Sequence, residues 1–237
     1  MNIIIIGATS GIGKAVFGFY ATKDNLIAIV GRRTHLLEQL RHKYPSHTIT
    51  ATTDITDLPE TEKTLDYLCQ EMQLIDLAIV CSGTGDINKS LDYSKERPAI
   101  ETNITGWTFM VDQLYRRLEK QGHGHLVAVS SVGGLRGEPN APAYSASKAY
   151  QINYMEALRK KAFKNGGQVI VTDIRPGLVD TAMAKGEGLF WVMPVEKVAR
   201  QICKAISRKK TKAYVTRRWH LLSIIIKNLP FAWYKRM

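Results

Sequence analysis

The chain has 237 residues, 45% of them hydrophobic and 23% charged, which are the proportions of a globular protein with one α/β-sized core. Its net charge of +12 is local: residues 1–196 hold 21 basic and 21 acidic residues, and residues 197–237 hold 12 basic residues and no acid. This excludes a protein that is basic throughout, and it points to an anionic partner for the tail alone. No nucleic-acid-binding motif accompanies the charge, so nucleic acid is not an expected partner. Cys69, Cys81 and Cys203 are too few and too scattered for a disulfide framework or a zinc site. The opening MNIIIIGATS lacks the basic lead of a signal peptide, and no apolar stretch reaches the roughly 18–20 residues of a spanning helix. A cytoplasmic location is expected.

IIII at 3–6 is a β-branched run stopped by Gly7, the pattern of a strand buried on both faces. Helical spacing follows over 12–23. Strands are then expected at 26–30, 47–51, 77–82, 125–131, 169–174 and 212–216. Helices are expected between them at 34–44, 58–72, 97–121, 142–164 and 195–208. Regular alternation predicts a single Rossmann-type α/β domain over 1–216, a doubly wound parallel sheet of about seven strands flanked by helices.

GATSGIG at 7–13 links the first strand to the first helix. Glycines there let the backbone approach a pyrophosphate, and the helix N-terminus offers free N–H donors. The spacing is G-x-x-x-G-x-G, so position after a buried strand carries the reading rather than the glycines alone. At the end of the second strand, IVGRRT puts Gly31 where an acid would bind a ribose 2′-hydroxyl, and Arg32 and Arg33 follow. Guanidinium groups pair well with a 2′-phosphate, which predicts NADP(H).

YSASK at 144–148 places Tyr144 and Lys148 one helical turn apart. A nearby ammonium is expected to lower the phenol's pKa from about 10 toward a useful range for a general acid or base. VAVSSVGG ends a buried strand in hydroxyls, Ser131 among them, at the sheet edge where open α/β folds present ligand-contacting groups. His123 and His125 in GHGH lack a third ligand and read as a turn into the fifth strand.

Over roughly residues 2–216 the chain resembles the short-chain dehydrogenase/reductase family. The resemblance rests on GATSGIG at 7–13, DIT at 54–56, TNITG at 102–106, SS at 130–131, YSASK at 144–148 and RPGLVDT at 175–181. It implies a catalytic tetrad of Asn103, Ser131, Tyr144 and Lys148. Tyr144 would protonate the substrate oxygen, Ser131 would hydrogen-bond it, and Lys148 would hold the nicotinamide ribose and tune Tyr144. Asn103 would position a water that relays protons to Lys148. It also implies cofactor contacts from Gly7, Thr9, Ser10, Gly11, Ile12 and Gly13, and from Asp54, Ile55, Ser82 and Gly83 along the adenosine. Pro176, Gly177, Val179 and Thr181 would hold the carboxamide side. Two departures stand out. Ile6 replaces the family's usual Thr before the loop, and VCSG at 80–83 replaces Asn-Asn-Ala-Gly, which puts local bracing in doubt.

After RPGLVDT, the residues Met183, Leu189, Phe190, Trp191 and Met193 suggest an apolar lid, with Gly186 and Gly188 as hinges. The tail 217–237 follows the last strand as a basic amphipathic extension, set apart from the catalytic residues. Aromatics flanking aliphatics beside cations fit a helix at a membrane surface, and packing on its own domain or in a homo-dimer or homo-tetramer stands as the alternative. The expected activity is NADP(H)-dependent hydride transfer with a hydrophobic or lipid-like carbonyl or alcohol. A reductase of a small soluble carbonyl, with the tail serving oligomerisation, and a dinucleotide-sensing protein without turnover remain open beside it.

Overall fold

The computed structural model describes residues 1–184 and 190–236. Seven strands form one all-parallel sheet: β1 Asn2–Ile6, β2 Leu26–Gly31, β3 Thr48–Thr52, β4 Leu77–Val80, β5 Gly124–Val129, β6 Val169–Pro176 and β7 Lys212–Val215. Their spatial order is β3-β2-β1-β4-β5-β6-β7. The helices are α1 Gly11–Ala21, α2 Thr34–Lys43, α3 Leu58–Met72, α4 Tyr93–Ile100, α5 Trp107–Gln121, α6 Pro142–Lys164, α7 Val195–Ser207, α8 Arg217–Asn228 and α9 Phe231–Tyr234.

The isoleucine run shows why the sheet is covered on both sides. Alternate strand residues face opposite ways. Ile4 and Ile6 pack in one core with Leu65 and Leu68 of α3, Trp107 and Leu114 of α5 and Met155 of α6. Ile3 and Ile5 join Val16 and Phe17 of α1, Leu37 of α2 and Ile202 of α7 in the other. Uniform β-branched burial of this kind is what a parallel strand between two helical layers requires.

Several boundaries differ from the sequence reading. β4 ends at Val80 and β5 at Val129, so Cys81, Ser82, Ser130 and Ser131 leave the sheet at its carboxyl edge. The helix expected over 97–121 begins at Tyr93 and contains one π-helical stretch, Glu101–Gly106, between α4 and α5. His125 is buried with its ring 2.7 Å from the Thr172 hydroxyl, and burial pushes its pKa down to about 4. Beyond β7, the tail forms α8 and α9, and Trp219 and Ser223 of α8 are buried.

The entry into α1 is tightly constrained. Gly7 has φ +84°, and a Cβ on Gly13 would lie 2.2 Å from the Gly7 carbonyl oxygen. Gly13→Ala is therefore expected to lower stability by roughly 1–3 kcal/mol through forced separation of α1 from β1. The urea midpoint reads this, and an unchanged midpoint would show that the loop absorbs a methyl group without cost.

Candidate active site

The strand order reverses direction between β1 and β4, so the loops leaving these two strands part and open a crevice at the carboxyl edge. The glycine loop forms one wall. The Gly7 and Ala8 amides donate to the Val30 carbonyl at 2.8 and 3.2 Å, and the Cys81 amide donates to the Ile6 carbonyl at 2.8 Å. Backbone bonds thus brace both segments where the family's usual side chains are absent. Arg33 adds to this, with Nη2 donating to the Thr9 and Ser10 hydroxyls at 2.6 and 2.8 Å. Arg32 is exposed and pairs with Asp54 at 3.2 Å. Burial alone would raise the Asp54 carboxyl, but the Thr56 amide and hydroxyl and Arg32 outweigh it and hold its pKa below the ordinary value. Ile55 is buried, with its carbonyl against Gly106.

The π-helical stretch turns Asn103 inward until it is fully buried. Its side-chain oxygen accepts from the Thr84 amide at 2.8 Å, and its Nδ2 donates to the Thr84 carbonyl at 2.6 Å. Nδ2 also donates to the Ser147 hydroxyl at 3.0 Å, and that hydroxyl donates to the Tyr144 carbonyl at 2.7 Å. Asn103 therefore ties the loop after β4 to the start of α6. In that loop Gly83 lies beside the Lys148 ammonium, and a Cβ on Gly85 would lie 2.4 Å from the Tyr144 ring.

Tyr144 and Ser131 lie together in the crevice: a Cβ on Gly133 would lie 3.3 Å from the Ser131 hydroxyl oxygen and 3.5 Å from the Tyr144 ring. Burial raises the Tyr144 pKa, and the nearby Ser131 hydroxyl opposes this. The lowering by Lys148 expected from the sequence is not met. The Lys148 Nζ lies 5.8 Å from the Tyr144 ring centroid and spends its hydrogen bonds elsewhere. The phenol is thus protonated at neutral pH, a state suited to donating a proton. Ser130, by contrast, faces away and donates to Asp173 at 2.5 Å, within a buried pair between Asp173 and Arg175 at 2.6 Å.

A family model described as short chain dehydrogenase matches residues 1–189. The chain belongs to the short-chain dehydrogenase family. An uncharacterized oxidoreductase of Myxococcus xanthus is 32% identical over 185 residues, covering 76% of this chain and 72% of that protein. One from Mycobacterium tuberculosis is 30% identical over 224 residues, covering 90% and 87%. Among solved structures, a short chain dehydrogenase/reductase from Burkholderia phymatum in complex with NAD matches with a TM-score of 0.85 at 17% identity, covering 95% of this chain and 92% of that one. A short chain dehydrogenase from Burkholderia cenocepacia in complex with NADP has the same score at 19% identity, covering 99% and 96%.

Against that family background, the surroundings of Lys148 stand out. Lys148 is buried, and its Nζ donates to the Gln151 side-chain oxygen at 2.9 Å and the Val129 carbonyl at 3.3 Å. The Gln151 Nε2 in turn donates to the Asn103 main-chain carbonyl at 2.9 Å. An ammonium only donates and a carbonyl only accepts, so the amide's orientation is forced. Gln151 thus spans the distance from Asn103 to Lys148, which the sequence reading assigned to a water. Desolvation lowers the Lys148 pKa to about 8, opposed by Asp173 and Cys81. Sequence reasoning missed Gln151, although its place three residues after Lys148 on α6 is the available signal.

The remaining predicted residues lie after β6. Pro176 is buried, and the Gly177 amide donates to the Val215 carbonyl at 2.7 Å. Val179 pairs with Met193, and Thr181 lies against Gly11. Leu189, Gly186 and Gly188 of the expected lid lie outside the described residues. The tail is an appendage to the sheet, as the sequence implied, yet it is not separate from the site. The Trp219 ring of α8 sits directly on Gly177, where a Cβ would lie 2.1 Å from it. Trp219 also donates to the Trp191 carbonyl at 3.3 Å and packs 5.5 Å from the Phe190 ring. Arg136 donates to the Leu229 carbonyl at 2.9 Å, and the Tyr234 hydroxyl donates to the Gly137 carbonyl at 2.7 Å, so the tail also straps the loop that follows Ser131.

If Gln151 sets the charge state of Lys148, two substitutions should move it in opposite directions. Gln151→Leu removes an acceptor from the ammonium and should shift the Lys148 titration to lower pH. Gln151→Glu places a carboxylate beside it and should shift the titration to higher pH. Side-chain carbon NMR of Lys148 reads both, and one common midpoint in all three proteins would refute the role.

Proposed function

We propose that the protein is an NADP(H)-dependent oxidoreductase acting on a hydrophobic carbonyl compound or the matching alcohol, with Tyr144 as general acid or base. The observation that carries this reading is the placement of the Tyr144 ring beside the Ser131 hydroxyl, in the same crevice as the glycine loop and Lys148. Other observations support the cofactor's fit. Gly7 and Gly13 leave no room for side chains at the loop, and the buried Ser82 hydroxyl beside Gly7 has no hydrogen-bond partner among the described residues. Bound in this crevice, a nicotinamide supplies hydride to a carbonyl carbon or takes it from an alcohol.

The chain's own residues do the rest. Ser131 donates to the substrate oxygen and holds it within reach of the Tyr144 hydroxyl. Tyr144 passes its proton to that oxygen as negative charge develops there. Lys148, positioned by Gln151 beside Gly83, presents a positive charge to the crevice floor and a donor to the ribose. Thr9, Ser10, Gly11 and Ile12 offer loop contacts to the pyrophosphate, and Arg32 and Arg33 stand where a 2′-phosphate would enter. Asp54, Ile55, Ser82 and Gly83 line the adenosine side. Pro176, Gly177, Val179 and Thr181 form the opposite wall near the carboxamide. Phe190, Trp191 and Met183, all exposed, favour an apolar substrate at the mouth.

Tyr144→Phe should reduce NADPH-dependent turnover by at least about a hundredfold while cofactor affinity stays nearly constant. Turnover at the parent rate would refute the mechanism. Replacing Arg32 and Arg33 with Ala should weaken NADPH much more than NADH, since only NADPH carries the extra phosphate. Arg33 also braces Thr9 and Ser10, so a small loss for NADH is expected. Equal losses for both cofactors would contradict the choice of NADP(H).

A further inference from the structure

Five of the uncompensated basic residues converge on one cavity of about 520 Å³ between α7, β7 and the start of α8. They are Lys197, Lys204, Arg208, Lys210 and Arg218, and among the described residues no carboxylate lines the cavity with them. All five are exposed, and none forms an ion pair among the described residues. Like charges gathered in one concave site repel each other, and a bound phosphate turns that repulsion into attraction.

Immediately beside this groove, α8 exposes a second feature. Its inner face buries Trp219 and Ser223, yet its outer face is apolar as well. Leu221, Ile224 and Ile225 recur at helical spacing with exposures of 66%, 51% and 61%. Phe231 and Trp233 of α9, which follows directly, are exposed at 72% and 70%, and Lys227, Lys235 and Arg236 are exposed on the same two helices and just after them. A helix that is apolar on both faces has an unmet burial demand. Arg218 joins the two features, since it lines the groove and lies 5.9 Å from the Trp191 ring at the lid.

We propose that the basic groove and the outer face of α8 and α9 form one docking surface for a bilayer containing anionic phospholipids. Phosphate headgroups occupy the groove, and the apolar side chains enter the acyl boundary beside it. The charge decides against a second copy of this chain as the occupant, because homotypic contact would bring two uncompensated basic sets together. Among the described residues, no helix is long and apolar enough to cross a membrane, so the contact is peripheral. It also places the lid residues Phe190 and Trp191 beside the bilayer. The docking stands apart from the oxidoreductase reading, because its measurement needs no turnover.

The test is co-sedimentation of the full-length chain with vesicles of phosphatidylcholine alone or mixed with phosphatidylglycerol. Binding is expected only to the mixed vesicles and should weaken as salt rises. Two exposed-site variants separate the features: Lys204→Gln with Arg208→Gln, and Leu221→Asp with Ile225→Asp. Each should weaken vesicle binding by at least about tenfold with the melting temperature nearly unchanged. Equal binding to both vesicle types, or to neither, overturns the proposal. Two further results would also overturn it: inorganic pyrophosphate binding the groove while vesicles are ignored, or a dimer that falls apart when Leu221 and Ile225 become Asp.

Discussion

The reversal of strand order at β1 is the constraint on which the rest of the molecule depends. From β1 the chain winds one way to β3, and from β4 it winds the other way to β7. Parallel strands need crossover helices, and two winding directions place those helices on both faces. The loops after β1 and β4 must therefore diverge, and their divergence is the crevice. Burying Ile3, Ile4, Ile5 and Ile6 on both faces holds that geometry, so the core and the site share one cause.

Within the crevice, electrostatics follows from burial. Lys148 and Tyr144 are neutral-favouring groups in a desolvated place: the lysine pKa falls to about 8 and the phenol pKa rises. Polar partners then decide how each group is aimed. Ser131 meets the phenol, and Gln151 meets the ammonium while gripping the Asn103 carbonyl. The π-helical stretch matters here because it carries Asn103, which fixes the loop bearing Gly83 and Gly85 against Tyr144 and Lys148.

The tail changes what the edge of the sheet can do. Trp219 rests on Gly177, and Arg136 and Tyr234 tie the tail to the loop after Ser131. A segment that looks dispensable to the sheet is thus in contact with the loop after β6 and the loop after Ser131. Its remaining apolar surface and the adjacent cationic groove face outward.

The sequence by itself determined the alternation of strands and helices, because side-chain period and β-branched runs are local properties of the chain. It also singled out Gly7 to Gly13, Ser131, Tyr144 and Lys148, since these sit at strand ends or helical spacings that are readable in one dimension, whereas Asn103 came only from the family resemblance of TNITG. Strand ends were read two residues too long at both β4 and β5, because the backbone leaves the sheet before the pattern changes. Only the tertiary structure decided that Gln151 contacts both Asn103 and Lys148, that Gly85 lies against Tyr144, and that Trp219 covers Gly177. Those contacts join residues as many as 59 positions apart, as between Gly85 and Tyr144, and no local pattern records such an approach. The direction of the Tyr144 shift was likewise a tertiary outcome, since it depends on where the Lys148 ammonium points and how deeply the phenol is buried.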